Sequence, residues 1–352
     1  MKLIQLIQLL SFAITVLGFS DSVYNKLFEI TNYAKISYCS VDERFTTGPF
    51  SEECSDLGFC KKEEQKDTTI EAVVRPNFFE SEISGDSYVA VNDEDKQVYI
   101  VFRGSVTPGD WITDITFAQC PYASALKNDI KYDDFDNGTD SDSIKATILS
   151  KSNNKLECED CYVHCGVYAE FTKSIQDLNK AAKPYLDKGY NLTITGHSLG
   201  GGYATLGAAE FRNLGYNPLT ITYASLRVGN PAFNKWLDSI YNTEENAKIV
   251  GNGGDLPIPS YSRVHQETDV VPRLPPSVPG VLEYTHSGLD FSITKVLLPH
   301  NKENVVFQGA SDNDKNDAVD VKFQPGMVLF IYQHLHQFQR IGVPCNDWDY
   351  LD

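Results

Sequence analysis

Positive charge is scarce in this chain. Over 352 residues, 30 Lys and Arg stand against 48 Asp and Glu, a net charge of −18. A surface of that sign argues against a nucleic-acid partner and against electrostatic binding to anionic membranes, but leaves hydrophobic adsorption to a neutral lipid surface open. Past residue 19 no apolar run is long enough to cross a bilayer. None of the seven histidines falls in a His-Glu-x-x-His spacing, so zinc hydrolysis is not supported. The acidic stretch 127–161 lacks the ligand spacing and closing Glu of a calcium loop. No metal and no cofactor are expected. Internal repeats and domain linkers are also absent. With 41% apolar and 22% charged residues, the composition is that of an ordinary soluble protein. The length suits one large α/β domain or two small ones. A single domain over 21–352, monomeric, is expected.

What is present begins with Met1-Lys2 and an apolar run from Leu3 to Phe19, short for a membrane span. It reads as a secretory signal peptide over residues 1–20, with Gly18-Phe19-Ser20 offering small residues for cleavage after Ser20. The expected location is extracellular. Eight cysteines follow: Cys39, Cys54, Cys60, Cys120, Cys158, Cys161, Cys165 and Cys345. An even count behind a signal peptide implies disulfides. Cys158-Glu159-Asp160-Cys161 has the spacing of a redox or zinc pair, but secretion and the lack of a second such pair favour a small surface disulfide. Asn137-Gly138-Thr139 is a glycosylation sequon in a polar loop. Asn191-Leu192-Thr193 is another, discounted because it enters the strand discussed next.

The most informative stretch is Leu192 to Phe211. A short β-favouring segment runs into Gly196-His197-Ser198-Leu199-Gly200, and a small-residue stretch with helical potential follows. Strand, sharp turn and helix are the setting a nucleophile elbow requires. A Cβ at Gly196 or Gly200 would collide across so tight a turn. Elsewhere, Val23, Leu27, Ile30, Tyr33 and Ala34 recur at helical spacing, and 88–91 with 97–102 form a β-hairpin pattern. Residues 167–186 give a helix with one apolar face, 219–224 a strand, and Asn230-Pro231 a helix start. Tyr261 to His265 is a further strand. Residues 127–161 and 299–320 read as polar loops, and Met327 to Tyr332 as the last apolar pattern, a final strand. Strands alternating with helices imply a mainly parallel sheet covered on both faces.

A serine hydroxyl needs an adjacent base, and the base an orienting acid. Behind this kind of elbow the chain order is Ser, then Asp or Glu, then His. Asp269 ends the 261–265 strand, where open sheets place their sites. Asp238 lies on a helix and Asp290 has weaker strand context. His334 and His336 come late enough to serve as base. On an extended segment they face opposite ways, so only one can reach Ser198. His197 and His265 read as packing residues. The Leu199 amide and the amide and hydroxyl of Ser105 are the candidate oxyanion donors; an N-cap serine is the bland alternative for Ser105.

With these residues in place, the chain resembles the secreted fungal and yeast lipases of the class 3 family, closest to the yeast extracellular type. The resemblance runs from about Tyr24 to Cys345. It rests on Ile100-Val101-Phe102-Arg103-Gly104-Ser105, Ile112-Thr113-Asp114-Ile115, Thr195 to Gly201, Arg227-Val228-Gly229-Asn230-Pro231-Ala232-Phe233, Thr268-Asp269-Val270-Val271-Pro272 and His334-Leu335-x-x-Phe338. It implies an α/β-hydrolase fold with Ser198 as nucleophile, Asp269 as acid, His334 rather than His336 as base, and Ser105 with Leu199 as oxyanion donors. His286 matches a family histidine that is not the base.

The resemblance also implies a lid helix after Ser105, on which Trp111, Ile112 and Ile115 share a face. It suggests Cys39–Cys345, Cys54–Cys60 and Cys158–Cys161 bridges, leaving Cys120 and Cys165 to pair. The implied activity is hydrolysis of acylglycerol esters at an oil–water interface. Ala224-Ser225-Leu226 departs from the Gly- and Pro-containing stretch of the family, and the 127–161 insertion and Pro108-Gly109 also depart; the last two bear on substrate preference and lid behaviour. The competing readings are an esterase on the same fold, such as a feruloyl esterase or phospholipase A1, and a non-catalytic secreted binding protein. The complete Ser198, Asp269 and His334 set weighs against the last.

Overall fold

A computed structural model describes residues 18–76, 85–106, 117–135, 140–278, 280–311 and 327–347. Its centre is a nine-stranded sheet: β1 (Gly48–Pro49), β2 (Thr68–Val74), β3 (Ser87–Asn92), β4 (Gln97–Phe102), β7 (Asn191–His197), β8 (Leu219–Tyr223), β9 (Ser260–Gln266), β10 (Leu289–Ile293) and β11 (Val305–Ala310), in that spatial order. The run from β4 through β10 is parallel, and the pairs outside it are antiparallel. Two further pairs of short strands lie outside the sheet: β5 (Gln119–Pro121) with β6 (Tyr162–His164), and β12 (His336–Gln337) with β13 (Gln339–Arg340).

Alternation along the strands divides the interior in two. Val89, Val91, Val98, Ile100 and Phe102 point to one face, and Tyr88, Ala90, Tyr99 and Val101 to the other. Helix α1 (Asp21–Ile36) covers the second face with Val23, Leu27, Ile30, Tyr33 and Ala34, the residues at helical spacing, and α7 (Thr243–Gly251) adds Val250. The first face is covered by α3 (Cys165–Thr172), α4 (Ile175–Leu186), α5 (Leu199–Asn213) and α6 (Pro231–Tyr241). Because both faces are covered, the parallel strands are apolar almost throughout. The predicted layered α/β architecture is the one observed.

Three elements depart from the sequence reading. Helix α2 (Ser141–Lys151) rises from the acidic insertion, started by Asp140, whose carboxylate accepts the Ser143 amide at 2.9 Å. Only Ile144 and Ile148 of it are buried. Strand β11 lies in the stretch expected to be a loop; it is an edge strand with most side chains half-exposed or exposed, so its composition stays polar. The apolar run at 327–332 belongs to a helix, α8 (Met327–Leu335), not a strand. A short apolar run does not distinguish a buried strand from a buried helix.

The chain start is also informative. Phe19 is buried and set edge-on to Phe291, ring centroids 5.5 Å apart. Ser20 Oγ accepts the Val23 amide at 3.2 Å, capping α1. Both residues are therefore part of the folded structure, although the expected cut lies after them. Cys39 is bonded to Cys345, Cys54 to Cys60, Cys120 to Cys165 and Cys158 to Cys161, and no described cysteine is free. Among the described residues no helix is long and apolar enough to cross a membrane.

Candidate active site

Strand β7 ends in His197 and helix α5 starts at Leu199, so Ser198 alone makes the turn. It does so at φ 60° and ψ −127°, a strained conformation for a residue with a side chain. The glycines are required by contact: a Cβ at Gly196 would stand 2.1 Å from the Gly200 carbonyl oxygen, and one at Gly200 2.2 Å from that of Phe102. Ser198 Oγ is buried and makes no hydrogen bond among the described residues.

Asp269 follows β9 and is buried. Its Oδ1 accepts the Val271 amide at 3.0 Å, which fixes the carboxylate, and its Oδ2 lies 2.9 Å from His334 Nδ1. A carboxylate at Nδ1 holds the proton there and leaves Nε2 as the atom able to take one from a hydroxyl. His334 reaches this position from the last turn of α8. The expectation that His334 and His336 lie on opposite faces of an extended segment therefore does not describe this region, since His334 is helical. His336 Nδ1 instead donates to the Tyr332 carbonyl at 2.6 Å, one turn back.

The other acids and histidines have separate places. Asp238 accepts the Gly288 amide at 2.7 Å. Asp290 receives Arg263 and His265, each at 2.9 Å; burial opposes its ionisation, but these partners hold its carboxyl well below the usual range. His286 is held neutral by burial and by the nearby Arg263 and Arg227, with Nε2 on the Pro272 carbonyl at 2.6 Å. His164 caps α3 through the Val167 amide, and burial pushes it down to about 4.

Strand β4 runs beside β7, with Phe102 opposite Gly196, so Gly104 and Ser105 continue alongside the elbow. Leu199 is the first residue of α5, and its amide is among the four a helix leaves unpaired. Ser105 is buried, with no hydrogen bond to its hydroxyl among the described residues. The strand end is fastened by a buried pair that the sequence did not single out. Arg103 Nη1 lies 2.7 Å from Asp86 Oδ2, and Ser40 Oγ donates to the same oxygen at 3.0 Å. An arginine closing an otherwise apolar strand was the available signal. Trp111, Ile112, Ile115 and Asn137 lie outside the described residues. Asn191, discounted as a sequon, is the first residue of β7 and is exposed. Ala224, in the stretch that departs from the family's Gly- and Pro-containing one, has φ 47°.

The sequence profile of the class 3 lipases matches residues 99–278, about half of the chain, from β4 past Asp269. The chain belongs to the class 3 lipase family. That membership makes it a carboxylic ester hydrolase. This lipase is 27% identical over 329 residues to LIH1 of Saccharomyces cerevisiae, provisionally named a lipase, across 90% of this chain and 92% of the relative. It is 27% identical over 237 residues to the secreted mono- and diacylglycerol lipase A of Penicillium camembertii, across 66% of this chain and 65% of the relative. Among solved structures, the Lip2 lipase of Yarrowia lipolytica superposes with a TM-score of 0.63 at 25% identity, covering 93% of this chain and 97% of that one. The triacylglyceride lipase of Rhizomucor miehei gives 0.61 at 21%, covering 93% and 98%. The fold is thus the α/β-hydrolase fold.

Proposed function

We propose that this class 3 lipase is a secreted enzyme that cleaves acylglycerols, triacylglycerol foremost, through an acyl-enzyme. The observation that carries the reading is the buried Asp269–His334 pair brought to the strained Ser198 elbow. In the first step Ser198 Oγ bonds to the ester carbonyl carbon while His334 Nε2 takes its proton. The negative charge on the former carbonyl oxygen is held by the Leu199 and Ser105 amides, with the Ser105 hydroxyl adding a third donor. Asp269 keeps the imidazole oriented and stabilises its charged form. The tetrahedral species collapses, the C–O bond to glycerol breaks, and His334 returns the proton to the departing alkoxide. A water then attacks the acyl-serine with His334 again as base, and the fatty acid leaves.

Secretion is supported by the apolar run at residues 3–19, the four disulfides and the secreted Penicillium relative. The enzyme acts as a monomer, carries glycan at Asn137 and has residues 21–352, together with the packed Phe19 and Ser20, in one domain. The segment with Trp111, Ile112 and Ile115 serves as a lid whose apolar face enters lipid at an oil–water interface, where exposing it costs little. The Penicillium relative gives a second reading, in which partial glycerides are preferred. Initial rates on emulsified long-chain triacylglycerol, emulsified diacylglycerol and a soluble short-chain ester separate the readings. A jump in rate as a short-chain triacylglycerol passes its solubility limit is expected. Plain saturation through that limit, with the soluble ester preferred, would overturn the lipid reading in favour of an esterase.

A further inference from the structure

Helix α8 ends at Leu335, and the last four carbonyls of a helix have no partner within it. Here all four are satisfied. Tyr332 O accepts from His336 Nδ1 at 2.6 Å, Gln333 O from Gln337 Nε2 at 2.9 Å, and Leu335 O from the Ile341 amide at 2.7 Å. The fourth, the carbonyl of His334 itself, accepts from His197 Nε2 at 2.8 Å. Three caps are local. The fourth comes from the residue before Ser198.

The proton positions on His197 follow from its neighbours. A carbonyl only accepts, so Nε2 carries the hydrogen and Nδ1 carries the lone pair. Tyr38 Oη, 2.7 Å from Nδ1, is then the donor. Tyr38 and His197 are both buried, and the imidazole is kept neutral chiefly by that burial, with the nearby His334 adding to it. The same hydroxyl packs on the turn that presents Ser105: a Cβ at Gly104 would stand 2.6 Å from Tyr38 Oη and 2.5 Å from the His197 carbonyl oxygen.

We propose that Tyr38 and His197 form a positioning unit for the base, in which Tyr38 donates to His197 Nδ1 and holds the ring in place, and His197 ties the main chain of His334 to the elbow. Asp269 holds the buried His334 ring at Nδ1, and the His197 ring packs against it with centroids 4.8 Å apart. The carbonyl contact adds a second, main-chain anchor. The ring and Ser198 then keep their relation when substrate enters. This rests on the triad reading above.

The test compares His197→Gln with His197→Met. The Gln amide nitrogen sits at the same number of bonds as Nε2 and can donate to the carbonyl; Met has similar bulk and no donor. Rates on a soluble ester are taken per active site, counted by organophosphonate titration. His197→Gln should stay within about threefold of the parent, whereas His197→Met should lose about tenfold or more in kcat, with KM little changed, the scale of one buried hydrogen bond expressed only in the reacting geometry. Equal kcat in the two variants, or a loss confined to KM, would overturn the proposal, since a packing role depends on bulk alone. If neither variant folds, Tyr38→Phe decides: it keeps the aromatic ring and removes the donor to His197 Nδ1, leaving a buried lone pair unpaired, and an unchanged kcat refutes the idea. Failure of the parent itself to take up the phosphonate at Ser198 would instead refute the triad reading.

Discussion

Glu210 lies on α5, twelve residues beyond Ser198 and about 18 Å along the helix axis at 1.5 Å per residue. It is fully buried and accepts four hydrogen bonds: from Tyr122 Oη and the Ala125 amide on one oxygen, each at 3.0 Å, and from Ser124 Oγ at 2.6 Å and the Leu126 amide at 3.0 Å on the other. Burial raises its pKa, and the four donors work against that rise. In Glu210→Gln one oxygen becomes an NH2 group. A hydroxyl can turn to accept from it, but a backbone amide cannot, so one buried N–H loses its acceptor at about 1–3 kcal/mol. Glu210→Leu orphans both amides, for about 2–6 kcal/mol, less the relief of no longer burying a carboxylate. Urea unfolding should give a lower midpoint at unchanged slope, Leu below Gln, while kcat of the folded fraction stays at the parental value because the site is so distant. A midpoint that stays or rises in Glu210→Leu would mean that carboxylate burial costs as much as the four bonds return, and the reasoning would fail.

Other expectations are more direct. Ser198→Ala should lower kcat on the order of 10⁶-fold, by analogy with serine triads, and abolish phosphonate labelling; a label on Ser105 or Ser225 would move the nucleophile. Asp290 has a folded pKa below its unfolded value near 3.9, so its stabilisation is present above about pH 4 and is lost as pH falls through the folded value. Asp290→Asn should therefore be less stable than the parent at pH 6, with a gap in Tm that closes on acidification; a constant gap would contradict this. N-terminal sequencing of secreted protein should return Phe19 rather than Asp21, because a cut after Ser20 removes both the cap of α1 and the Phe19–Phe291 contact. Recovery of Asp21 as first residue with parental Tm would show those contacts to be dispensable.

The elbow was legible because strand, glycine-flanked turn and helix are contiguous in the chain, and a Cβ at Gly196 would meet the Gly200 carbonyl four residues on. The layered α/β plan was legible because strands covered on both faces must be apolar. Asp269 could be found because it follows a strand. What stayed hidden depends on partners distant in sequence. The polar face of β11 reflects its place at the sheet edge, and α2 needs only Ile144 and Ile148 to attach it, too few for a pattern. The run at 327–332 has no periodicity to separate helix from strand. His197 read as packing because its two partners, Tyr38 and the His334 carbonyl, are 159 and 137 residues away.

The order of these parts along the chain governs when the enzyme becomes active. Tyr38, the oxyanion turn and the elbow are all synthesised before α8, and domains begin to fold from their N-terminal side during synthesis. A nascent chain thus carries Ser198 without His334 while the 136 residues from one to the other are made. Only when α8 docks does His334 meet Asp269, and only then can Cys345 meet Cys39, beside Tyr38. Assembly of the Asp269–His334 pair and the closing of the longest disulfide loop fall within the same late interval.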